Sequence, residues 1–276
     1  MHRFSSAAGR VAFLGLLLAN YSPVQASEAP QLLSAFFGLD NALPFRANRL
    51  CLGASGKDGM PVVLSHTIDD DTLDAEDFQV TTQAGQRLSP HCVTLRPAED
   101  PGEGRTVLLI GEFGDAADDP PISVQVVGDV LSDTAPPVNF RSQSVEVIPL
   151  AAGPTLIYAQ TIPLTELAAK TRSTRCPADT RQVVRVTWAG GVRSPSGDDP
   201  GDPERALYQV TVRRENGTRE TIAPAALADL EDRDNNHLLC LDTSDPAMAV
   251  EFPAGHLVDP NQDLNLDSRI TVAPAR

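Results

Sequence analysis

Val184-Arg185-Val186-Thr187-Trp188 alternates apolar and polar residues without a break, and Tyr208-Gln209-Val210-Thr211-Val212-Arg213 repeats the pattern downstream. Successive side chains of an extended strand point to opposite faces, so a period of two marks a strand with one face on a core and one toward water. Val184, Val186, Trp188, Tyr208, Val210 and Val212 are therefore expected in a single core, with Arg185 and Thr187 on the wet side. The same period recurs at Phe78/Val80, Val124/Val126, Val145/Val147 and Met248/Val250/Phe252. Val107-Leu108-Leu109-Ile110 lacks alternation and is expected to be a strand covered on both sides. Turn chemistry separates the runs: Asp119-Pro120-Pro121, Ala135-Pro136-Pro137 and Ser196–Gly201 read as loops. Asn216-Gly217 reads as a type I′ hairpin turn between Tyr208–Arg214 and Thr218–Ile222. Helical signals are confined to Pro163–Lys170 and one turn at Pro224–Ala228, each with a proline near its start. Many short strands with almost no helix give an all-β chain of two antiparallel sandwiches in tandem.

The N-terminus sets the expected compartment. Arg3 and Arg10 precede the apolar run Val11–Ala19, and Val24-Gln25-Ala26 offers small residues for cleavage before Ser27. The run is too short to span a bilayer, and no later stretch approaches the ~18 apolar residues that a membrane helix requires. Residues 1–26 are thus expected to be a signal peptide, 27–150 one sandwich domain and 151–276 a second, with the boundary near Ala151-Ala152-Gly153-Pro154. The address is periplasmic or secreted. With 22 basic against 37 acidic residues the net charge is −15, and removing Arg3 and Arg10 makes the chain more acidic still. Such a surface repels nucleic acid and anionic lipid, and suits divalent cations.

Four cysteines fall two in each half: Cys51 and Cys92, then Cys176 and Cys240. In an oxidising compartment an even count implies disulfides, and more than one connectivity is open. The two-and-two distribution favours Cys51–Cys92 and Cys176–Cys240, each closing a loop long enough to stabilise by roughly 3–4 kcal/mol. Zinc is disfavoured because the chain contains neither C-x-x-C nor C-x-x-H.

The stretch from Pro61 to Thr82, PVVLSHTIDDDTLDAEDFQVTT, resembles the opening of bacterial Ig-like domains of S-layer and surface proteins. In that resemblance Val62 and Leu64 point inward and Ile68 plugs the sandwich end. Leu73 anchors a turn, Phe78 and Val80 start the next strand, and Asp69 and Asp77 are turn and cap residues. The ending Phe252–Asn261 with Ile270-Thr271-Val272 is similar to the last hairpin of such domains, though Pro260 and Asn261 depart from the pattern. The resemblance implies two Ig-like β-sandwich domains acting as a spacer or binding module, and no catalytic residues.

The densest cluster of oxygen ligands is Asp229–His237, where Asp232, Asp234 and Asn236 alternate. Ca²⁺ accepts six to eight such hard ligands in loose geometry, so these three are the candidate calcium ligands, opposed by the plainer reading of an acidic turn bonding its own backbone. His237, His256 and Asp259, with Asp234, form the alternative metal or acid–base grouping. No G-x-S-x-G, P-loop or dinucleotide fingerprint is present. The leading reading is an exported, non-enzymatic binding or structural module of the periplasm or cell surface, stabilised by Ca²⁺, whose partner is a protein or cell-surface polymer. The alternative is an exported metal-assisted hydrolase using the second-half Asp/His cluster.

Overall fold

Why the chain alternates so regularly is plain in the computed structural model, which describes residues 29–98, 100–165, 175–230 and 234–275. The first half contributes β1 (Leu32–Phe36), β2 (Asp58–Leu64), β3 (Phe78–Thr82), β4 (Arg87–Leu88), β5 (Cys92–Thr94), β6 (Thr106–Gly111), β7 (Pro121–Val126) and β8 (Ser144–Ile148). These form one sheet in the order β4-β3-β7-β8-β1-β2-β6-β5, antiparallel except where β1 pairs with β8. The sheet folds over on itself. Val62 and Leu64 of β2 and Val107 and Leu109 of β6 share a core with Phe78 and Val80 of β3 and Val124 and Val126 of β7. Ile68 and Leu73 pack on this core, and Asp69 and Asp74 cap two short 3-10 turns by accepting from Asp71 N and Glu76 N.

The second half contributes β9 (Leu156–Ile162), β10 (Gln182–Trp188), β11 (Gln209–Arg213), β12 (Arg219–Ile222), β13 (Ala226–Ala228), β14 (Asn236–Leu241), β15 (Ala247–Phe252) and β16 (Ser268–Thr271). Two four-stranded sheets, β13-β14-β10-β9 and β12-β11-β15-β16, enclose the second core. Val184, Val186, Trp188, Tyr208, Val210 and Val212 all lie in it, each fully buried. Trp188 Nε1 donates to the Tyr208 hydroxyl at 3.1 Å, and that hydroxyl in turn lies 2.9 Å from His237 Nδ1. One hydroxyl therefore partners two buried nitrogens, accepting from Trp188 and bonding His237.

Three local expectations are corrected. Arg185 and Thr187 do not face water: every residue of β10 is buried, because its outer face meets the first half. Residues Ala226–Ala228 form β13 rather than a helical turn, since the segment pairs along β14. The β11–β12 hairpin forms, but Gly217 takes φ 82° while Asn216 keeps an ordinary φ, and Gly217 N donates to Arg214 O. That is a type I turn closed by a left-handed glycine rather than type I′. The helix expected over Pro163–Lys170 and the signal peptide over residues 1–26 fall largely or wholly outside the described residues.

Disulfides join Cys51 to Cys92 and Cys176 to Cys240, one in each half. Near the first, a 3-10 helix (Phe45–Arg49) lies over β6 through a small satellite core of Leu43, Ala47, Ala54 and Ile110. Among the described residues no helix is long and apolar enough to cross a membrane.

Replacing Tyr208 by Phe removes one oxygen and strands two buried nitrogens. The expected loss is about 2–4 kcal/mol, read from the urea midpoint. A loss below about 0.5 kcal/mol would mean that water replaces the hydroxyl.

Candidate binding cleft between the two halves

Two buried arginines cross between the halves in opposite directions. Arg185, from the middle of β10, donates through Nη1 to Gly102 O at 2.7 Å and through Nη2 to Pro101 O at 3.0 Å. Its Nε lies 3.6 Å from Glu103 Oε1, and both side chains are almost wholly buried. Arg105, just before β6, donates to Leu64 O, Ser65 O and, across the junction, Gln160 Oε1 at 3.1 Å. Its guanidinium stacks 3.9 Å over the Tyr158 ring on β9. A buried charge persists only when paired and hydrogen-bonded, and here carbonyls and Glu103 meet that requirement.

Carboxyls complete the junction. Asp234 accepts from Asn236 N at 2.7 Å and Asn236 Nδ2 at 2.9 Å, and hydrogen-bonds to Glu103. Burial pushes the Asp234 pKa up. Asn235 Nδ2 donates to Thr106 Oγ1 of the first half and to Trp188 O. Asp100, Glu103 and Asp229 bring ligand oxygens within 4.8 Å of one another, the one such His/Cys/Asp/Glu group among the described residues. With Arg185 beside Glu103, that group's negative charge already has a counter-charge.

The residues singled out from sequence take other places. Asp232 lies outside the described residues. Asp234 and Asn236 are buried and bonded to each other, and Asn236 Oδ1 also accepts from Thr187 Oγ1 at 2.7 Å. His237 is buried against Tyr208, and desolvation lowers its pKa to about 4. His256 is exposed in the loop after β15. Asp259 is buried in that loop, where Oδ1 accepts from Asp263 N at 2.9 Å and burial raises its pKa to about 6. Ligand atoms of His237, His256, Asp259 and Asp234 do not converge within 4.8 Å in any group of three. Asp100, Glu103 and Arg105 carry no sequence motif, whereas Asp229 opens the Asp/Asn-rich segment. Arg185 did leave a signal, as the one charge inside its strand.

Beside this junction opens a cleft of about 620 Å³ to which both halves contribute. Its lining is predominantly apolar, with Phe36, Leu39, Leu43, Pro61, Leu95 and Leu108 from the first half and Gly190 and Gly191 from the second. Asp234, Asn235 and Thr106 supply polar atoms of the lining, and Arg46, Arg49 and Arg96 also border it. Gly190 sets the approach of the halves: a Cβ there would meet the Phe36 ring at 2.8 Å. The volume falls in the range of ~300–1,000 Å³ typical of small-molecule sites.

No family model matches the chain, and no curated protein does. Among solved structures, domains 1–6 of the surface layer protein SbsC show a distant similarity, at 11% identity and a TM-score of 0.31. The match covers 91% of this chain and 42% of that one.

Arg185→Met should cost about 3–5 kcal/mol, because Glu103 is left buried beside a neutral side chain. Urea denaturation checks this, and a near-neutral result would mean that the junction tolerates an apolar replacement. Asp259 gives a pH prediction. Its folded pKa lies above the unfolded value of 3.8, so its stabilisation is complete below that value and lost as pH rises through about 6. Asp259→Asn should therefore exceed the parent in stability by on the order of 1–3 kcal/mol at high pH and match it near pH 4. His237 works in the opposite sense, losing stability as pH falls from 6.5 toward 4, but it is common to parent and variant and cancels. Equal urea midpoints at both pH values would refute the assignment.

Proposed function

We propose that this chain is an exported, non-enzymatic binding module of the periplasm or cell surface that holds its ligand between two β-sandwiches. The carrying observation is the apolar cleft shared by both halves. Two disulfides accord with folding in an oxidising compartment. The binding reading gains support from how the conspicuous polar groups are employed: His237 and Tyr208 bond inside a core, while Arg105 and Arg185 join the halves. A concave apolar surface bounded by a few polar groups is the ordinary form of a small-ligand site.

The test is saturable binding of a neutral, environment-sensitive apolar dye to the purified full chain. One equivalent should bind with an emission increase. Ala42 is exposed and borders the cleft, so Ala42→Trp should fill the cavity and weaken the dye by about tenfold or more without lowering the urea midpoint. Dye binding that is non-saturable, or untouched by Ala42→Trp, would remove the cleft from consideration.

A further inference from the structure

The cleft's rim is chemically unlike its floor. Arg46 and Arg49 both border it, from one 3-10 helix that carries no acidic residue in its first turn. Neither makes an ion pair or a side-chain hydrogen bond among the described residues; Arg87, Arg213 and Arg219 share that state but do not line the cleft, which Arg46 and Arg49 border. In a chain of net charge −15, two unpaired guanidiniums at one cavity mouth form a local positive site. Guanidinium donors favour carboxylate and phosphate oxygens. Leu50 also borders the cleft, and Phe45, at 83% exposure, begins the helix that carries the two arginines.

The floor offers little to a polar ligand. Asn235 Nδ2 is committed to Thr106 Oγ1 and Trp188 O, and Asp234 to Asn236 and Glu103. A peptide laid along the cleft would bring a donor and an acceptor with each residue, and burying them without partners is costly. Hydrocarbon carries no such penalty. Resting on the cleft reading above, we infer that the ligand is a single-chain amphiphile, with its tail along the apolar floor and an anionic head held by Arg46 and Arg49. Leu50, exposed and bordering the cleft beside the two arginines, gives the tail an apolar edge to cross on entry.

The experiment displaces the neutral dye from the full chain with hexadecanoate, hexadecyl phosphate or hexadecanol, each below its aggregation concentration. The tail is common, so differences report the head. At least one anion should bind about tenfold tighter than the alcohol at low salt, a difference that shrinks as salt rises. The tighter of the two anions identifies the head as carboxylate or phosphate. The double variant Arg46→Gln/Arg49→Gln should abolish the preference while leaving dye affinity intact, and Arg87→Gln, on a distant edge strand, should leave it in place. Both arginines are exposed, so folding is not at stake. If the alcohol matches both anions, or the double variant keeps the preference, the head assignment is overturned while the cleft stands. If the dye itself fails to bind, the cleft and the amphiphile fall together.

Discussion

Arg185 reaching out of β10 to the carbonyls of Pro101 and Gly102, with Glu103 alongside, is the contact on which the arrangement of this molecule turns. A guanidinium in the middle of a strand cannot lie against apolar neighbours, and solvent does not reach it here. It is stable only if the first half brings oxygen atoms to it. The loop at residues 100–104 does so, and Arg105 returns the interaction by lying over Tyr158 and bonding Gln160. Because directional bonds run both ways, the junction fixes orientation more strictly than an apolar contact of similar area. The close approach of Gly190 to Phe36 then leaves the cleft open on one side.

Much of the fold was legible because it depends on local alternation. Val184, Val186 and Trp188 reach the core for the same reason that their neighbours do not: a strand has only two faces. What alternation cannot convey is the surroundings of the second face. A lone Arg185 reads the same whether it meets water or another half of the chain, and only the tertiary arrangement separates the two. Hence the junction groups Asp100, Glu103 and Arg105 went unread, while the acidic segment Asp229–His237 drew attention for its composition. Asp234 and Asn236 are there, but they bond to each other beneath the surface. His237 shows the same limit: a histidine near carboxylates suggests chemistry, yet its Nδ1 completes a core hydrogen bond. Asn216-Gly217 was read correctly as a turn and incorrectly as to type, because glycine at the second place serves either geometry.

The acidic loop after β15 shows how carboxylates and amides shape irregular backbone. Asn265 accepts from His256 N and Leu257 N and donates to Pro253 O and Leu266 O, while Asp267 accepts from Ala254 N. A stretch too irregular for a ladder is thereby held by side chains acting as substitute backbone partners. Asp69 and Asp74 do the same in the first half, accepting from Asp71 N and Glu76 N.

The bridge from Cys51 to Cys92 follows directly on the helix that carries Arg46 and Arg49. That helix rests on a satellite core of Leu43, Ala47, Ala54 and Ile110, with Cys51 and Cys92 packed against it. The covalent tie therefore fastens the chain just beyond that helix to β5, the edge strand of the first sheet. Both guanidiniums at the cleft mouth are thus carried on a segment that is covalently joined to the sheet within two residues of its end.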